Sequence, residues 1–169
     1  MGRIMEHPER KSNRLIKYDY STGGAYFVTI CTQDRKKILS TIVGGDAHDA
    51  PNVALTDIGK IVQTHIVNSD RIPGITIDKY VIMPDHIHLI VLVNEYAAIG
   101  TSRAPSPTNA AIPHLVSTLK RFCHRDIGDK IFQRSYYDHV IRNQQDHDEI
   151  WQYIENNPRK WFLQKHDLL

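Results

Sequence analysis

Two histidines separated by a single residue open a strongly apolar stretch of the sequence. His86 and His88 begin a run of β-branched and aliphatic residues that continues to Val93. Side chains alternate between the faces of a β-strand, so both imidazoles would project from one face, while Ile87 and Leu89 would project from the other. Neutral histidine nitrogen is the commonest protein ligand for divalent cations, so the pair could form half of a metal site. Two polar residues on a half-exposed strand would have the same spacing, and the pair alone leaves both interpretations open.

A second pair of candidate residues lies near the end of the chain, on a predicted helix. Tyr153 and Asn157 are one helical turn apart and lie together at the edge of an apolar stripe. The tyrosine hydroxyl could act as a nucleophile, and the amide oxygen could be a third metal ligand. Pro158 follows directly, so we expect Asn157 at a helix end or kink. A packing tyrosine and a C-cap asparagine would give the same pattern.

Periodicity and turn residues divide the chain into the elements that must position these side chains. Thr56 is a suitable N-cap for a helix with apolar residues at helical spacing, and Pro84-Asp85 supplies a tight hairpin turn. Segments 40–54 and 94–113 are predicted to be loops because they are rich in turn-forming and small polar residues. Strands are predicted at residues 26–32, 75–83, 85–93 and 132–141, and helices begin near residues 56, 115 and 146.

The order of these elements indicates an α+β fold. Strand, helix, strand, strand, helix, strand is the βαββαβ pattern of ferredoxin-like (RRM-like) domains with an antiparallel sheet, here followed by an additional C-terminal helix. In that topology the first and third strands are central, and both crossover helices cover one face. The additional helix must then cover the other face. We assign His86 and His88 to that face and expect the last helix to lie over them.

Composition restricts the class of protein. The chain has 169 residues, 41% hydrophobic and 24% charged, and no apolar run approaches the roughly 18 residues of a membrane-spanning helix. Its first residues lack the apolar stretch of a signal peptide, so we expect a cytoplasmic protein without a membrane partner. Cys31 and Cys123 are too few and too widely separated for a disulfide framework, and we expect reduced thiols. The net charge of +2 does not by itself indicate nucleic acid.

Basic residues are nevertheless concentrated in three places. One group lies in a basic N-terminal arm predicted over residues 1–24, ahead of a single domain over residues 25–169. A second follows the first strand, and a third lies on the second helix. We expect these groups to contact DNA phosphates, although solvated charged surfaces have the same composition. They are Arg10, Lys11, Arg14 and Lys17; Arg35, Lys36 and Lys37; and Lys120, Arg121 and Arg125.

Five segments together resemble the REP-associated tyrosine transposases, which belong to the single-tyrosine transposases with a His-hydrophobic-His motif. The segments span most of the chain in the family's order, which makes them far more specific than the histidine pair alone. They are YDYS (18–21), YFVTICT (26–32), MPDHIH (83–88), FQRSYYDHVIR (132–142) and YIENNP (153–158).

The resemblance implies an activity and a role for each candidate residue. It implies a metal-dependent single-stranded DNA endonuclease and strand transferase that acts on hairpin DNA, such as REP-like repeats, through a covalent 5′-phosphotyrosine. Tyr153 matches the family's nucleophile, and His86, His88 and Asn157 match its ligands for Mg²⁺ or Mn²⁺. Asp85 stands where the common motif has Asn, which leaves the local charge open. Whether the protein is a monomer or a homodimer is also left open.

Two other functions remain compatible with the residues themselves. A ferredoxin-like sheet with aromatic residues can hold single-stranded nucleic acid without cutting it. A metal-dependent phosphoesterase could also use a histidine pair. Tyr80, Tyr136 and Tyr137 compete with Tyr153 for the role of nucleophile.

Overall fold

The computed structural model describes residues 24–44, 51–94 and 111–165. The four basic residues of the predicted arm, Arg10, Lys11, Arg14 and Lys17, lie outside these ranges. Within the ranges the chain forms six strands, three helices and two short 3₁₀ turns. The strands are β1 (Gly24–Cys31), β2 (Ser40–Val43), β3 (Asn52–Leu55), β4 (Ile75–Ile82), β5 (His86–Val93) and β6 (Tyr137–Ile141); the helices are α1 (Asp57–Asn68), α2 (Ala111–Ile127) and α3 (Gln144–Lys165); the 3₁₀ turns are Gln33–Arg35 and Ser69–Arg71.

The main sheet has the predicted ferredoxin-like topology. Four strands pair antiparallel in the order β4-β5-β1-β6, which makes β1 and β5 central. The pairing register places Thr29 of β1 opposite His88 of β5, and Cys31 opposite His86. The predicted fold class is therefore confirmed, and the two histidines lie in the middle of the sheet.

The two faces of the sheet carry separate apolar clusters. On one face Ile87 and Leu89 of β5 belong to the larger core, which also contains buried residues of α1 and α2. On the other face Ile90 and Phe27 pack with Ile154 of α3. The crossover helices thus cover one face and α3 the other, as the alternation of apolar residues predicts. No helix in the described part of the chain is long and apolar enough to cross a membrane.

The loop prediction for residues 40–54 is wrong at both ends of that segment. β2 and β3 pair with each other antiparallel along their whole length as a separate two-stranded sheet. Strands of four residues contain too few alternations to show a period of two. In addition, Ser40 is buried despite being polar, because its Oγ donates a hydrogen bond to the carbonyl of Ile82. Residues 45–50 lie outside the described ranges.

The fourth strand of the main sheet is shorter than the predicted 132–141. β6 begins only at Tyr137, and Phe132 forms an isolated bridge with Thr32. Between them, three backbone carbonyls accept hydrogen bonds from the ammonium of Lys120. The Lys120 side chain thus holds the segment between Phe132 and the start of β6.

Helix α3 continues past Pro158, which corrects the expectation that Asn157 sits at a helix end or kink. The helix runs for 22 residues to Lys165, with Pro158 inside it. A proline removes one backbone donor and crowds the preceding turn. Here Ile154, Asn157 and Pro158 are all buried, so tertiary packing offsets the local cost. Asn157 therefore lies inside a helix.

The predicted start of α1 is confirmed by its cap. Thr56 Oγ1 accepts a hydrogen bond from the backbone N–H of Gly59 at 3.0 Å. The same hydroxyl donates to backbone carbonyls of the preceding segment, including that of Leu39 at 3.0 Å. The cap therefore ties the helix start to the chain segment that precedes β2. The described part of helix α2 starts at Ala111, so the loop prediction for residues 94–113 is wrong over its last three residues. Residues 95–110 lie outside the described ranges.

Replacing Gly59 with alanine tests this close approach. A Cβ at Gly59 would lie 1.9 Å from the carbonyl oxygen of Leu39, which is a backbone atom. Gly→Ala in a helix normally stabilises by about 1 kcal/mol, but here we expect Gly59→Ala to lower the unfolding free energy by about 2 kcal/mol or more. Urea denaturation measures the change, with Thr64→Ala on the exposed side of α1 as control. A Gly59→Ala variant as stable as the native chain would contradict the packing described.

Candidate active site

The two histidines form a buried pair whose rings are held from both sides. His86 and His88 are 7% and 5% exposed, and their Nε2 atoms lie 3.1 Å apart. The outer nitrogen of each ring has its own partner: Asp85 Oδ1 lies 2.5 Å from His86 Nδ1, and Thr29 Oγ1 lies 2.8 Å from His88 Nδ1. Two nitrogens that bind one ion at about 2.1 Å and at right angles lie about 3 Å apart. The pair therefore has the geometry of two adjacent metal ligands.

The charge of Asp85 is compensated by an arginine from the turn after β1. Arg35 Nε lies 3.4 Å from Asp85 Oδ2, and Arg35 Nη1 donates to the Cys31 sulfur at 2.8 Å. Asp34 and Arg35 adopt left-handed backbone conformations, with φ of 53° and 54°. Such conformations cost residues with a Cβ about 1 kcal/mol or more each. The turn thus holds strained backbone in the geometry that brings the guanidinium to the buried carboxylate.

Both imidazoles are held in the neutral form that binds metals. Burial lowers the pKa of His86, against the opposing effect of the hydrogen bond to Asp85. Burial, with added repulsion from His86 and Arg35, lowers the pKa of His88 to about 3. Because a neutral ring carries one nitrogen lone pair, the pair needs no net loss of protons at neutral pH to coordinate a cation.

One face of α3 lies along the two imidazoles. The ring of Tyr153 is 5.3 Å from that of His88, and the ring of Trp161 is 6.1 Å from that of His86. Asn157 lies between these two aromatic residues on the helix, one turn from each, and it is buried. Tyr153 is 40% exposed. The structure therefore places Tyr153 beside the two histidines, and buried Asn157 lies on the same helix between Tyr153 and Trp161.

The third metal ligand would have to be a neutral oxygen. In the described residues no group of three His, Cys, Asp or Glu side chains has a geometry that could hold a metal ion. Asn157 offers an amide oxygen on the buried helix face that covers the histidines. Imidazole nitrogens suit borderline transition cations, and an amide oxygen suits hard ones. The donor set therefore suits Mn²⁺ better than Mg²⁺.

The sheet separates the competing tyrosines. Tyr80 accepts a hydrogen bond from Gln63 of α1, and Tyr136 packs against the core beneath the crossover helices. Tyr137 lies opposite Thr29 of β1 and is 50% exposed, so it shares the histidine face. Tyr137 is therefore the one serious competitor of Tyr153 among these residues.

Two lysines flank the row of residues on α3. Lys37 Nζ lies 5.5 Å from the centre of the Trp161 ring, and Lys160 Nζ lies 5.4 Å from that of Tyr153. Lys37 belongs to the predicted DNA-binding set, with its exposed neighbour Lys36. Sequence analysis missed Lys160, although it lies two helical turns beyond Tyr153 and so on the same face. Phosphate oxygens that approach Tyr153 would meet positive charge on both sides.

The predicted basic group on α2 lies in the helix layer on the other side of the sheet. Lys120 donates to the carbonyls of residues 133–135 at 2.7, 3.2 and 3.1 Å, and burial lowers its pKa to about 8. The ammonium form still predominates at pH 7 and can donate to all three. Arg121 and Arg125 lie over the ring of Phe122, and Arg125 also pairs with Asp126. DNA binding by this group stays a prediction.

The sequence was compared with known proteins. No family model matches it. An uncharacterised protein of Haemophilus influenzae is 30% identical over 169 residues, which cover 90% of this chain and 89% of that protein. A second protein of that organism, provisionally named a REP-associated tyrosine transposase, is 27% identical over 146 residues, 84% of this chain and 74% of the relative. This chain belongs to the REP-associated tyrosine transposases.

A solved structure shares the fold. It is a REP-associated tyrosine transposase bound to a REP hairpin, and it superposes with a TM-score of 0.59 at 21% identity. The superposition covers 88% of this chain and 71% of that one. The transposase fold is thus seen in a second molecule of the family.

Replacing Lys120 with methionine separates its internal role from DNA binding. Loss of three charge-assisted hydrogen bonds to carbonyls should lower the unfolding free energy by about 2–3 kcal/mol. Lys130→Met, at an exposed position after α2, is the matched control and should change stability by less than about 0.5 kcal/mol. Urea denaturation measures both. Unchanged stability with weaker DNA binding would make Lys120 a DNA contact instead.

Proposed function

We propose that the protein cuts and rejoins single-stranded DNA beside hairpins, using Tyr153 as the nucleophile and a divalent cation held by His86, His88 and Asn157. The observation that supports this most is the position of the Tyr153 ring, 5.3 Å from the His88 ring and one helical turn from buried Asn157. A nucleophile thus adjoins a group of metal ligands whose own partners fix their orientation. The substrate class rests on family membership and on the hairpin bound to the structural relative.

The proposed reaction conserves the number of phosphodiester bonds. The Tyr153 hydroxyl loses its proton to solvent as its oxygen attacks the scissile phosphorus and forms an O–P bond. The bond to the 3′ oxygen breaks, and that oxygen takes up a proton from solvent. The product is a 5′-phosphotyrosine and a free 3′ hydroxyl. A second 3′ hydroxyl can attack the phosphotyrosine and restore a DNA bond, so no ATP is required. We find no Gly-rich phosphate loop of the Walker type in the sequence.

The residues around Tyr153 suit the charge that builds up in this step. A bound divalent cation would neutralise non-bridging phosphate oxygens, as metal ions do in other phosphoryl transfers. Lys160 and Lys37 add positive charge at the two ends of the row on α3. Packing of the Tyr153 ring against His88 restricts its movement, and a held nucleophile reacts faster than a mobile one.

Binding of the hairpin would use basic residues beyond the catalytic ones. Arg35, Lys36 and Lys37 follow β1 beside the histidines and are the nearest predicted contacts. The N-terminal arm and the arginines of α2 are the more distant ones. Counterion release from such contacts would make affinity fall steeply with salt.

Metal binding is tested by calorimetric titration of Mn²⁺. We expect one site per native chain, and at least about tenfold weaker binding in His86→Ala and His88→Ala, because each removes a ligand. Asn157→Ala should also weaken binding. His65→Ala, in α1 on the other side of the sheet, is the matched control and should bind as the native chain does. Equal affinity in His86→Ala would eliminate the proposed metal site.

The covalent intermediate is tested with a hairpin that carries randomised single-stranded flanks, incubated with Mn²⁺ and run on a denaturing gel. Attack by Tyr153 leaves the downstream fragment on the protein, so a 3′ label should mark the adduct and a 5′ label should not. Tyr153→Phe should abolish the adduct with little loss of stability or DNA binding. Tyr137→Phe is the matched control and should keep it.

The same experiment discriminates the alternative functions. A binding module would retain the DNA without cleavage or adduct. A phosphoesterase would cleave without forming an adduct. An adduct that survives in Tyr153→Phe and disappears in Tyr137→Phe would move the nucleophile to β6.

A further inference from the structure

We infer that Asp85 and Thr29 are positioning residues that set the tautomers of the histidine pair, and that Thr29 allows His88 to change tautomer when a divalent cation binds. The inference rests on the proposed metal site. It is carried by three contacts that form one hydrogen-bond chain: Asp85 to His86 at 2.5 Å, His86 to His88 at 3.1 Å, and His88 to Thr29 at 2.8 Å. Both rings remain neutral throughout.

Each neutral imidazole carries one ring proton, so one nitrogen donates and the other accepts. The carboxylate of Asp85 can only accept, so His86 must carry its proton on Nδ1. His86 Nε2 then carries a lone pair and accepts. The contact of 3.1 Å therefore requires His88 to donate from its own Nε2. His88 Nδ1 therefore also carries a lone pair and must accept from the Thr29 hydroxyl. With neutral rings and an ionised carboxylate, this assignment satisfies all three contacts.

Asp85 sets the donor-to-acceptor direction of this hydrogen-bond chain. An asparagine at residue 85 could donate from its amide to His86 Nδ1. The two ring protons could then be reversed. With Asp85, the reversed order would bring a carboxylate and a ring lone pair to 2.5 Å, which is repulsive. Arg35 Nε lies 3.4 Å from Asp85 Oδ2 and compensates the buried negative charge that fixes the tautomer of His86.

Cation binding through both Nε2 atoms requires two lone pairs. His86 already offers one, but His88 must lose its Nε2 proton and gain one on Nδ1. One proton leaves the ring for solvent and one is taken up from solvent, so His88 stays neutral. The new Nδ1–H then needs an acceptor, and Thr29 can provide it because a hydroxyl both donates and accepts. A methyl group in its place could do neither.

The test uses ¹⁵N-histidine NMR of the full chain, with Zn²⁺ as a diamagnetic probe. Without metal, we expect His86 protonated on Nδ1 and His88 on Nε2. With Zn²⁺, both should be protonated on Nδ1. Asp85→Asn should mix or reverse the metal-free tautomers and retain Zn²⁺ binding. Thr29→Val, which keeps the shape, should bind Zn²⁺ about 10–100-fold more weakly, while Thr29→Ser should bind as the native chain does.

Thermal unfolding of the metal-free variants measures the structural part of the effect. Thr29→Val leaves His88 Nδ1 without its partner and should unfold a few degrees below the native chain, still in one cooperative transition above the temperature of the Zn²⁺ titration. A metal-free His86 protonated on Nε2 would overturn the role of Asp85. Zn²⁺ affinity in Thr29→Val equal to that of Thr29→Ser would overturn the role of Thr29. A native chain that shows the expected metal-free tautomers yet binds no Zn²⁺ supports the role of Asp85 and overturns both the proposed metal site and the tautomer change.

Discussion

The antiparallel pairing of β1 with β5 is the constraint on which the candidate site depends. A shift of β5 by one residue against β1 would turn His88 toward the crossover helices and away from Thr29. The apolar residues of β5 prevent that slip, because Ile87 and Leu89 would leave the main core for the other face. Burial of aliphatic side chains on one face of the sheet therefore fixes the polar geometry on the other. The chemistry is positioned by a core that takes no part in it.

Concentrating buried polar groups at this site carries a cost that its hydrogen bonds offset. A buried polar group without a partner costs about 1–3 kcal/mol. His86, His88 and Asp85 avoid this cost because each is hydrogen-bonded to another member of one hydrogen-bond chain, which ends at Thr29. The strained turn after β1 brings Arg35 to the single carboxylate. Local strain in the backbone is thus accepted where it removes a larger electrostatic penalty.

Sequence alone predicts the parts of this arrangement that rest on local periodicity. Alternation in β5 assigns the histidines to one face, and helical spacing puts Tyr153 and Asn157 together. Features set by contacts between distant segments escape prediction. Thr29 has no local signal, because its role arises from cross-strand register. The same limit explains the missed hairpin of β2 and β3, and the misplaced helix end at Pro158, where burial outweighs local propensity.

The proposed function places DNA cleavage on one face of the sheet and predicts further DNA contacts on the other. Tyr153 on α3 and the histidines beneath that helix lie on one face of the sheet, whereas Arg121 and Arg125 lie in the helix layer on the opposite side. A phosphate bound by those arginines cannot be the one that Tyr153 attacks. If both faces engage one DNA molecule, the strand must pass around an edge of the sheet. Contacts on α2 would then add affinity and salt dependence, while the geometry of cleavage would depend on the β1–β5 pair and α3 alone.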